Sequence, residues 1–364
     1  MVDFLLVGSG LFNAVFAHEA AKRGKTCRVV EVRDHIGGNC YTQEVEGIQT
    51  HMYGAHIFHT SRKDIWDYMR GFAEFNHFIN APIANYRGEI YNLPFNMNTF
   101  SKMWNISTPE DAKTIIARQS SDIRGEARNL EEHAIQCVGR DIYEKLIREY
   151  TEKQWGRPCA ELPASIIRRL PIRFTYDNNY FNDPYQGIPV GGYTRIIEQM
   201  FSDCEITVCE NFLNDTKKHR KTAHRVIYTG AIDAYFNYKL GPLEYRSLRF
   251  EHVVMDTGNY QGVAVMNFTG LDVPYTRIIE HKHFEFGNQP KTVISREYSC
   301  EWSIGIEPYY PINNEKNEQR YRAYAELVDN EEGVSFCGRL GTYKYTDMQD
   351  TVINALEFAK KEFK

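Results

Sequence analysis

Two glycines and one carboxylate near the start of the chain are the first residues whose types and spacing could do chemistry. Gly8 and Gly10 lie in the stretch LLVGSGLFN, directly after an apolar run. Glycines at this spacing make a tight turn and let backbone N–H groups approach a pyrophosphate at a helix N-terminus. Glu31 follows about 20 residues later, where a carboxylate can accept hydrogen bonds from ribose hydroxyls. This combination predicts a dinucleotide-binding site.

The third glycine position of this fingerprint holds Asn13 instead. Glycine there permits close packing of helix on strand, so either the helix tilts or the Asn13 amide finds polar partners. A second glycine pair, Gly37–Gly38, follows the acidic residue. A backbone that passes close to a second stretch of cofactor explains this pair. The pair therefore favours FAD over a simple nicotinamide nucleotide.

A strand, a helix and a second strand are needed to position these groups. Apolar periodicity predicts them, in that order, at Val2–Val7, Leu11–Lys22 and Thr26–Val32. The run at residues 221–233 predicts a strand that ends in Gly230 and returns to the same sheet, and the run at residues 334–340 predicts another strand. The order is that of a doubly wound α/β unit built from both ends of the chain.

The middle of the chain follows different periods. Residues 107–119, 129–139 and 140–155 have helical spacing, and the first of these helices has a cap signal at Ser107 or Thr108. Later runs are shorter and alternate, which predicts antiparallel strands within residues 251–257, 262–268, 276–284 and 291–298. Residues 348–361 predict a closing helix.

These elements predict a mixed α/β fold, in which a Rossmann-like FAD-binding domain carries an inserted helical domain and an antiparallel β-sheet domain. We assign residues 1–76, 190–242 and 314–364 to the FAD-binding domain. The helical domain, with a mobile lid, takes residues 97–167. The substrate domain, an antiparallel sheet, takes residues 77–96, 168–189 and 243–313.

Composition excludes several classes of protein. The 364 residues carry a net charge of -5 with no basic block, which argues against nucleic acid as a partner. No apolar run reaches the ~20 residues of a membrane helix, and the N-terminus has no cationic segment of a signal peptide. None of the eight cysteines forms a CxxC pair or has zinc spacing, so we expect free thiols in the cytoplasm and no metal.

Long ordered motifs along nearly the whole chain carry a family resemblance. The stretches RDHIGGN, YGAHIFHT, LPFNMNTF, YTEKQWG, LPASIIRRLPIRF, QGIPVGGYT, VPYTRIIEHKHF and GRLGTYKYTDM resemble bacterial UDP-galactopyranose mutases. The main departure is Asn13, where that family usually has glycine. The resemblance implies an isomerase that interconverts UDP-galactopyranose and UDP-galactofuranose through a reduced-flavin N5–sugar adduct, with no net redox change. Its product would serve cell-surface polysaccharide synthesis, and the enzyme is expected to be a homodimer.

The resemblance also assigns residues to roles. It implies that catalysis depends on Arg169, Arg277 and His59. The substrate would be bound by Asn80, Tyr150, Trp155, Arg169, Tyr180, Asn267, Arg277, Tyr310 and Tyr345. The flavin would be bound by Gly8, Gly10, Leu11, Phe12, Glu31, Arg33, Gly38, Asn39, His56, Ile57, Gly230, Arg339, Tyr345, Asp347 and Met348.

Residue chemistry agrees with some of these roles and leaves others open. A guanidinium matches phosphate oxygens and keeps its charge, but chemistry alone does not choose among Arg168, Arg169 and Arg173. Trp155 next to a glycine is typical of a mobile lid and equally of a residue that anchors a helix end. Asp347 is a good N-cap, and the helix N-terminus behind it would stabilise the anionic edge of reduced flavin.

Two other functions remain open from the sequence. One is an FAD-dependent oxidoreductase of the amine-oxidase type, which would show net electron transfer during turnover. The other is a UDP-sugar-binding protein without catalysis, which would stay inert with reduced FAD.

Overall fold

The computed structural model describes residues 1–167 and 172–364. In chain order the strands are β1 (Val2–Val7), β2 (Cys27–Val30), β3 (Thr42–Val45), β4 (Ile48–His51), β5 (Phe58–Thr60), β6 (Ile83–Tyr86), β7 (Glu89–Asn92), β8 (Tyr185–Gly187), β9 (Glu205–Thr207), β10 (Ala223–Tyr228), β11 (Tyr245–Met255), β12 (Val265–Phe268), β13 (Arg277–Glu280), β14 (Thr292–Glu301), β15 (Tyr310–Pro311) and β16 (Val334–Phe336).

The α-helices are α1 (Leu11–Ala21), α2 (Lys63–Arg70), α3 (Met97–Trp104), α4 (Pro109–Gln119), α5 (Leu130–Val138), α6 (Arg140–Ile142), α7 (Glu149–Trp155), α8 (Tyr193–Met200), α9 (Thr216–Arg220), α10 (Ile232–Tyr235), α11 (Glu315–Val328), α12 (Gly338–Gly341) and α13 (Met348–Glu362). A π-helical segment, Tyr143–Arg148, connects α6 to α7. Short 3₁₀ turns follow β2 and β13 at Gly38–Cys40 and His281–Glu285.

A parallel sheet forms the nucleotide side of the molecule. Its strand order is β16-β10-β1-β2-β9, and each neighbouring pair is parallel. Strands buried on both faces read as continuous apolar runs, which is why β1, β2, β10 and β16 could be predicted. The predicted α/β fold class is confirmed, and β2 and α1 end slightly earlier than expected.

Helices α1 and α13 cover one face of this sheet. Phe4 of β1 packs edge-on against Phe16 of α1, with ring centroids 5.1 Å apart. Phe16 also contacts Phe358 and Phe363 at the C-terminus, at 5.5 Å in each case. The two ends of the chain therefore share one core, and the predicted closing helix is confirmed as α13.

A second sheet has the order β15-β11-β14-β13-β12-β6-β7. Its strands are antiparallel except for β6 and β12, which pair in parallel. The predicted antiparallel sheet is confirmed, and the parallel pairing of β6 with β12 is an exception that was not predicted. The run at residues 276–284 is also a strand only over β13, because the chain then turns into the 3₁₀ segment.

The helices between β7 and β8 pack around one core, which also includes Ala84 of β6 and Tyr91 of β7. Thr108 caps α4 by accepting a hydrogen bond from the Asp111 N–H, so the predicted helix start is confirmed. The chain enters this region at Phe95 and leaves it at Ile172, which form a β-bridge. The Arg173 N–H donates to the Phe95 carbonyl at 2.9 Å. The boundaries of the three domains stay a prediction. Among the described helices, none has the length and apolar character to cross a bilayer.

Candidate functional site

A cavity of about 710 Å³ runs from the carboxyl edge of the parallel sheet to the second sheet. It joins the predicted cofactor and substrate residues into one site. The predicted residues that line it are Gly8, Gly10, Leu11, Phe12, Glu31, Arg33, Gly38, Asn39, His56, Ile57, His59, Asn80, Tyr180, Gly230, Asn267, Arg277, Tyr310, Arg339, Tyr345, Asp347 and Met348.

Three predicted substrate residues do not line this cavity or cannot be placed. Tyr150 lies behind the wall, where its hydroxyl contacts Arg277. Trp155 ends α7 and packs partly against the helical core, so its substrate contact and its lid movement stay predictions. Arg169 lies outside the described residues, as does Arg168.

The glycine turn leaves open space where a diphosphate would lie. Gly8 has φ +93°, which glycine adopts readily. A Cβ on Gly10 would meet no atom within 4 Å, and Gly10 begins α1 without a side-chain cap. The first N–H groups of α1 therefore have no helical partner and face the cavity, as a diphosphate site requires.

The second glycine pair brings another stretch of backbone to the same turn. Gly38 has φ +55°, and a Cβ built on it would lie only 3.0 Å from the Cα of Gly10. Glycine is thus required here by both conformation and space. This close approach agrees with the prediction that residues 37–38 pass close to the cofactor.

Glu31 is buried at the end of β2, with only 5% of its surface exposed. One carboxylate oxygen accepts from the Ser9 N–H at 2.8 Å and from the Ser9 hydroxyl at 2.6 Å. The other accepts from the Arg33 N–H at 2.9 Å. These bonds fix the Glu31 carboxylate at the cavity wall beside the glycine turn. The open glycine turn and the fixed carboxylate together fit a dinucleotide.

Asn13 resolves the question raised by the incomplete fingerprint. Its side chain is fully buried, and its amide nitrogen donates to the carbonyl oxygens of Val7 at 3.1 Å and Gly8 at 2.8 Å. It does not line the cavity. Asn13 has therefore found polar partners at the end of β1, which was one of the two expected solutions, and it is a packing residue rather than a phosphate ligand.

We expect Asn13→Gly to destabilise the protein and to leave flavin binding nearly unchanged. The change removes a buried donor from the Gly8 carbonyl, which costs about 1–3 kcal/mol. It also adds about 0.5–1 kcal/mol of helix entropy. Denaturant unfolding and a flavin titration measure the two effects. Asn13→Ala is the control, because it removes the hydrogen bonds without the glycine penalty. Wild-type stability in both variants would contradict this role.

Arg277 is the first residue of β13. Among the described arginines of the second sheet, it is the one whose side chain lines the cavity. Its Nη2 donates to the Tyr150 hydroxyl at 3.0 Å, and its Nε lies 3.3 Å from a carboxylate oxygen of buried Glu297. Asn267 is its cross-strand neighbour on β12. The buried Oδ1 of Asn267 has no partner among the described residues, which leaves it available to a ligand hydroxyl.

Tyrosines and Arg339 form the wall between Arg277 and the parallel sheet. The rings of Tyr310 and Tyr345 lie 5.9 Å apart, and Arg339 lies 5.1 Å from the Tyr345 ring. Arg339 is fixed by donating to the backbone oxygens of Tyr309 at 3.2 Å and Thr346 at 3.1 Å. This wall places hydrogen-bond donors and one fixed cation along the cavity.

The two predicted histidines have different surroundings. His56 Nδ1 lies 2.8 Å from the Gly54 carbonyl, so that nitrogen carries the proton. Burial lowers the pKa of His56 to about 4, and the ring is neutral at pH 7. His59 Nδ1 contacts Asp183 at 2.6 Å, and its ring stacks on Phe181 at 3.7 Å. Within the described ranges, no three His, Cys, Asp or Glu side chains converge on a metal position.

Sequence reasoning missed two carboxylates of the site. Glu297 is a charged residue at a buried position of β14, and that contrast was the only signal for it. Asp183 lies in irregular chain just before β8, and only the fold brings it to His59. Arg173 was one of the three arginines among which residue chemistry could not choose. It donates to the carbonyls of Asn179 and Phe181 and so holds the loop that includes Tyr180.

Asp347 caps α13 as predicted, since its carboxylate accepts from the Asp350 N–H at 2.8 Å. The N-terminus of α13 therefore points at the cavity beside Tyr345 and Met348. A helix N-terminus carries about half a positive charge, which favours an anion at this end of the site.

Comparisons with known proteins agree with this geometry. The family model for UDP-galactopyranose mutase matches residues 145–345, and one for NAD(P)-binding Rossmann-like domains matches residues 6–72. A probable UDP-galactopyranose mutase of Klebsiella pneumoniae is 39% identical over 98% of this chain and 94% of its own. A dTDP-fucopyranose mutase of Escherichia coli is 35% identical over 99% of this chain and 98% of its own.

The fold has a solved counterpart as well. The crystal structure of a reduced UDP-galactopyranose mutase superposes with a TM-score of 0.74 at 14% identity, and covers 100% of this chain and 96% of its own. At that identity the match supports the fold. The sequence matches extend over more than half of the chain, and the matched residues include both the dinucleotide turn and Arg277. This chain therefore belongs to the UDP-galactopyranose mutase family.

Proposed function

We propose that this chain interconverts UDP-galactopyranose and UDP-galactofuranose, with reduced FAD bound and no net redox change. The observation that carries the proposal is the single cavity that joins the dinucleotide turn to Arg277. A diphosphate held at Arg277 would place its sugar toward the cofactor end of the same cavity. Family membership supports the reaction type.

FAD fits the residues of this cavity. The N-terminus of α1 and Gly10 would hold its diphosphate, and Glu31 its ribose. The N-terminus of α13 would lie at the flavin end. When bound in reduced form, the flavin supplies an electron-rich nucleophile for the anomeric carbon, so the protein needs no nucleophile of its own.

Arg277 meets the charge of the leaving diphosphate. The bond between the anomeric carbon and the diphosphate must break and form again, so negative charge grows on the nucleotide. A guanidinium stays protonated at any working pH and strengthens its hydrogen bonds as that charge grows. Glu297 and Tyr150 hold Arg277 from two sides, so its charge is aimed before the substrate arrives.

The other wall residues orient the sugar and its protons. His56 is neutral, and its Nε2 can accept a hydrogen bond because Nδ1 holds the proton. Asp183 fixes the ring of His59, whose second nitrogen remains for the ligand. Asn267 offers an unpaired amide oxygen. Tyr310 and Tyr180 exclude water from the cavity with their rings.

A second substrate is favoured by one of the relatives. The dTDP-fucopyranose mutase is nearly as similar to this chain as the probable UDP-galactopyranose mutase. A dTDP-linked 6-deoxyhexose is therefore the second candidate, and it shares the diphosphate and the ring contraction.

One assay tests these functions together. We expect dithionite-reduced enzyme to convert UDP-galactofuranose into UDP-galactopyranose, separated by ion-pair chromatography, while the oxidised enzyme converts little. A parallel reaction uses dTDP-fucofuranose. Turnover that consumes a stoichiometric electron acceptor would favour the oxidoreductase, and UDP binding without conversion would favour the binding protein. Either result would refute the proposed isomerase.

A cytoplasmic location is part of the proposal, because a nucleotide-sugar pool and free thiols both belong to that compartment. All eight cysteines are free in the structure, as expected. A homodimer and a role in cell-surface polysaccharide synthesis complete the proposal and rest on family membership alone.

A further inference from the structure

Lys153 lies one turn after Tyr150 on α7 and is partly buried against the second sheet. Its Nζ donates to three backbone oxygens, those of Phe268 at 2.9 Å, Gly270 at 2.7 Å and Val273 at 3.1 Å. An ammonium group has three N–H donors, and all of them are used here. Lys153 does not line the cavity.

The ammonium of Lys153 is charged at neutral pH. Burial lowers the pKa of Lys153 to about 8, while the carboxylates of Asp272 and Glu149 act in the opposite direction. A partly buried ammonium that donates to three carbonyls at once holds those carbonyls at fixed positions around it. The three carbonyls all belong to the connection between β12 and β13 or to the strand end that leads into it.

This connection, residues 269–276, carries site residues at both ends. Asn267 lies just before it, and Arg277 directly after it. A second residue of α7 holds the same connection, since Glu149 accepts from the Leu271 N–H at 2.8 Å. Lys153 and Glu149 therefore attach the β12–β13 connection, which leads into Arg277, to α7, which includes Tyr150.

We propose that Lys153 is a positioning residue for diphosphate binding, which sets the separation of Arg277 and Tyr150 by holding the β12–β13 connection on α7. The inference rests on the proposed function of Arg277. It adds a residue that touches neither substrate nor cofactor. A misplacement of about 1 Å in a charged group is enough to weaken binding and turnover strongly.

Independent contacts keep α7 in place when Lys153 is changed. The Gln154 carbonyl accepts from Arg246 Nε at 3.0 Å and from the Ser299 hydroxyl. Both donors belong to the second sheet, on β11 and β14. Loss of the Lys153 ammonium is therefore expected to loosen the β12–β13 connection, which keeps its hydrogen bond to Glu149, without detaching the helix.

A double-mutant cycle on the flavin-loaded enzyme tests the proposal, with UDP as the probe. We expect Lys153→Met to weaken UDP binding about tenfold with Arg277 present, and less than twofold in an Arg277→Lys background. The loss caused by Lys153→Met is small in the Arg277→Lys background because Lys153 acts through Arg277. Lys153→Arg keeps the charge but cannot repeat the three-carbonyl geometry, and we expect a smaller loss with the same dependence on Arg277.

Lys145→Met is the matched control, since Lys145 lies earlier in the same helical stretch and contacts Glu89 and Tyr91 away from the cavity. We expect wild-type UDP binding from it. Equal losses from Lys153→Met in both backgrounds would mean a merely structural role and would overturn the inference. If Lys153→Met does not fold, the cycle with Lys153→Arg decides the question by the same criterion.

The wild-type enzyme separates the two proposals. If it converts the nucleotide sugar but the cycle shows no coupling, only the role of Lys153 fails. If the loaded wild type does not bind UDP, the proposed function fails and the role of Lys153 fails with it.

Discussion

Arg277→Ala is expected to lower kcat/KM by a factor on the order of a hundred or more, while the flavin stays bound. Removal of a charge-assisted hydrogen bond from a closed site costs ~2–4 kcal/mol of transition-state stabilisation. The cost here is expected at the upper end, because Glu297 would remain buried without its cation. Steady-state kinetics with reduced enzyme give kcat/KM. The flavin absorbance of the purified variant shows whether the flavin stays bound.

The control for this variant is Arg249→Ala. Arg249 lies on β11 of the same sheet, but it is exposed and rests on the ring of Tyr298 at 3.9 Å. We expect near-normal kcat/KM from it. Near-normal turnover in Arg277→Ala would remove Arg277 from the site, and loss of flavin in that variant would show that its effect is not specific to the substrate.

Gly38→Ala is expected to weaken flavin binding by roughly tenfold to a hundredfold. Alanine at φ +55° is strained, and its Cβ would press on the Cα of Gly10 at 3.0 Å. Crowding of this kind costs about 1–3 kcal/mol. The loop that contains Gly38 can relieve it by moving away from the position where the diphosphate would lie. Heat release and mass analysis identify the wild-type nucleotide, which we expect to be FAD. A flavin titration then gives the affinity of the variant.

Gly47→Ala is the matched control, because Gly47 also has positive φ, at +71°, but has open space where a Cβ would lie. It carries the conformational penalty without crowding Gly10. We expect its flavin affinity to equal that of the wild type. Equal weakening in both variants would assign the effect to backbone strain alone and contradict the close approach of the two glycine turns.

Local patterns were sufficient for the parts of the fold that are local. The order of β1, α1 and β2 follows from an apolar run, a glycine turn and a carboxylate, all within the first 31 residues. Caps at Thr108 and Asp347 could be predicted for the same reason, since a cap bonds to N–H groups three residues away. These predictions depend on no distant partner.

The parts that could not be predicted depend on distant partners. The parallel pairing of β6 with β12 joins Ile83 to Met266, and no period in either segment records it. Glu297 meets Arg277 only when β13 and β14 pair, and Lys153 meets its three carbonyls only when α7 packs against the second sheet. The resemblance to a known family supplied Arg277 and the tyrosines, but it carried no information on what holds them in place.

The β-bridge between Phe95 and Ile172 has a consequence for the evolution of the family. Because entry and exit of the helical region lie side by side, that region can lengthen, shorten or be exchanged without opening the second sheet. Exchange is limited where the helices contact the second sheet, at the hydrogen bonds of α7 to the β12–β13 connection and at those of Lys145 to β7, which must be inherited together with the region. Chimeras of two relatives can be made with crossovers at the bridge residues. They are expected to fold only when both parents have the same residues at these contact positions.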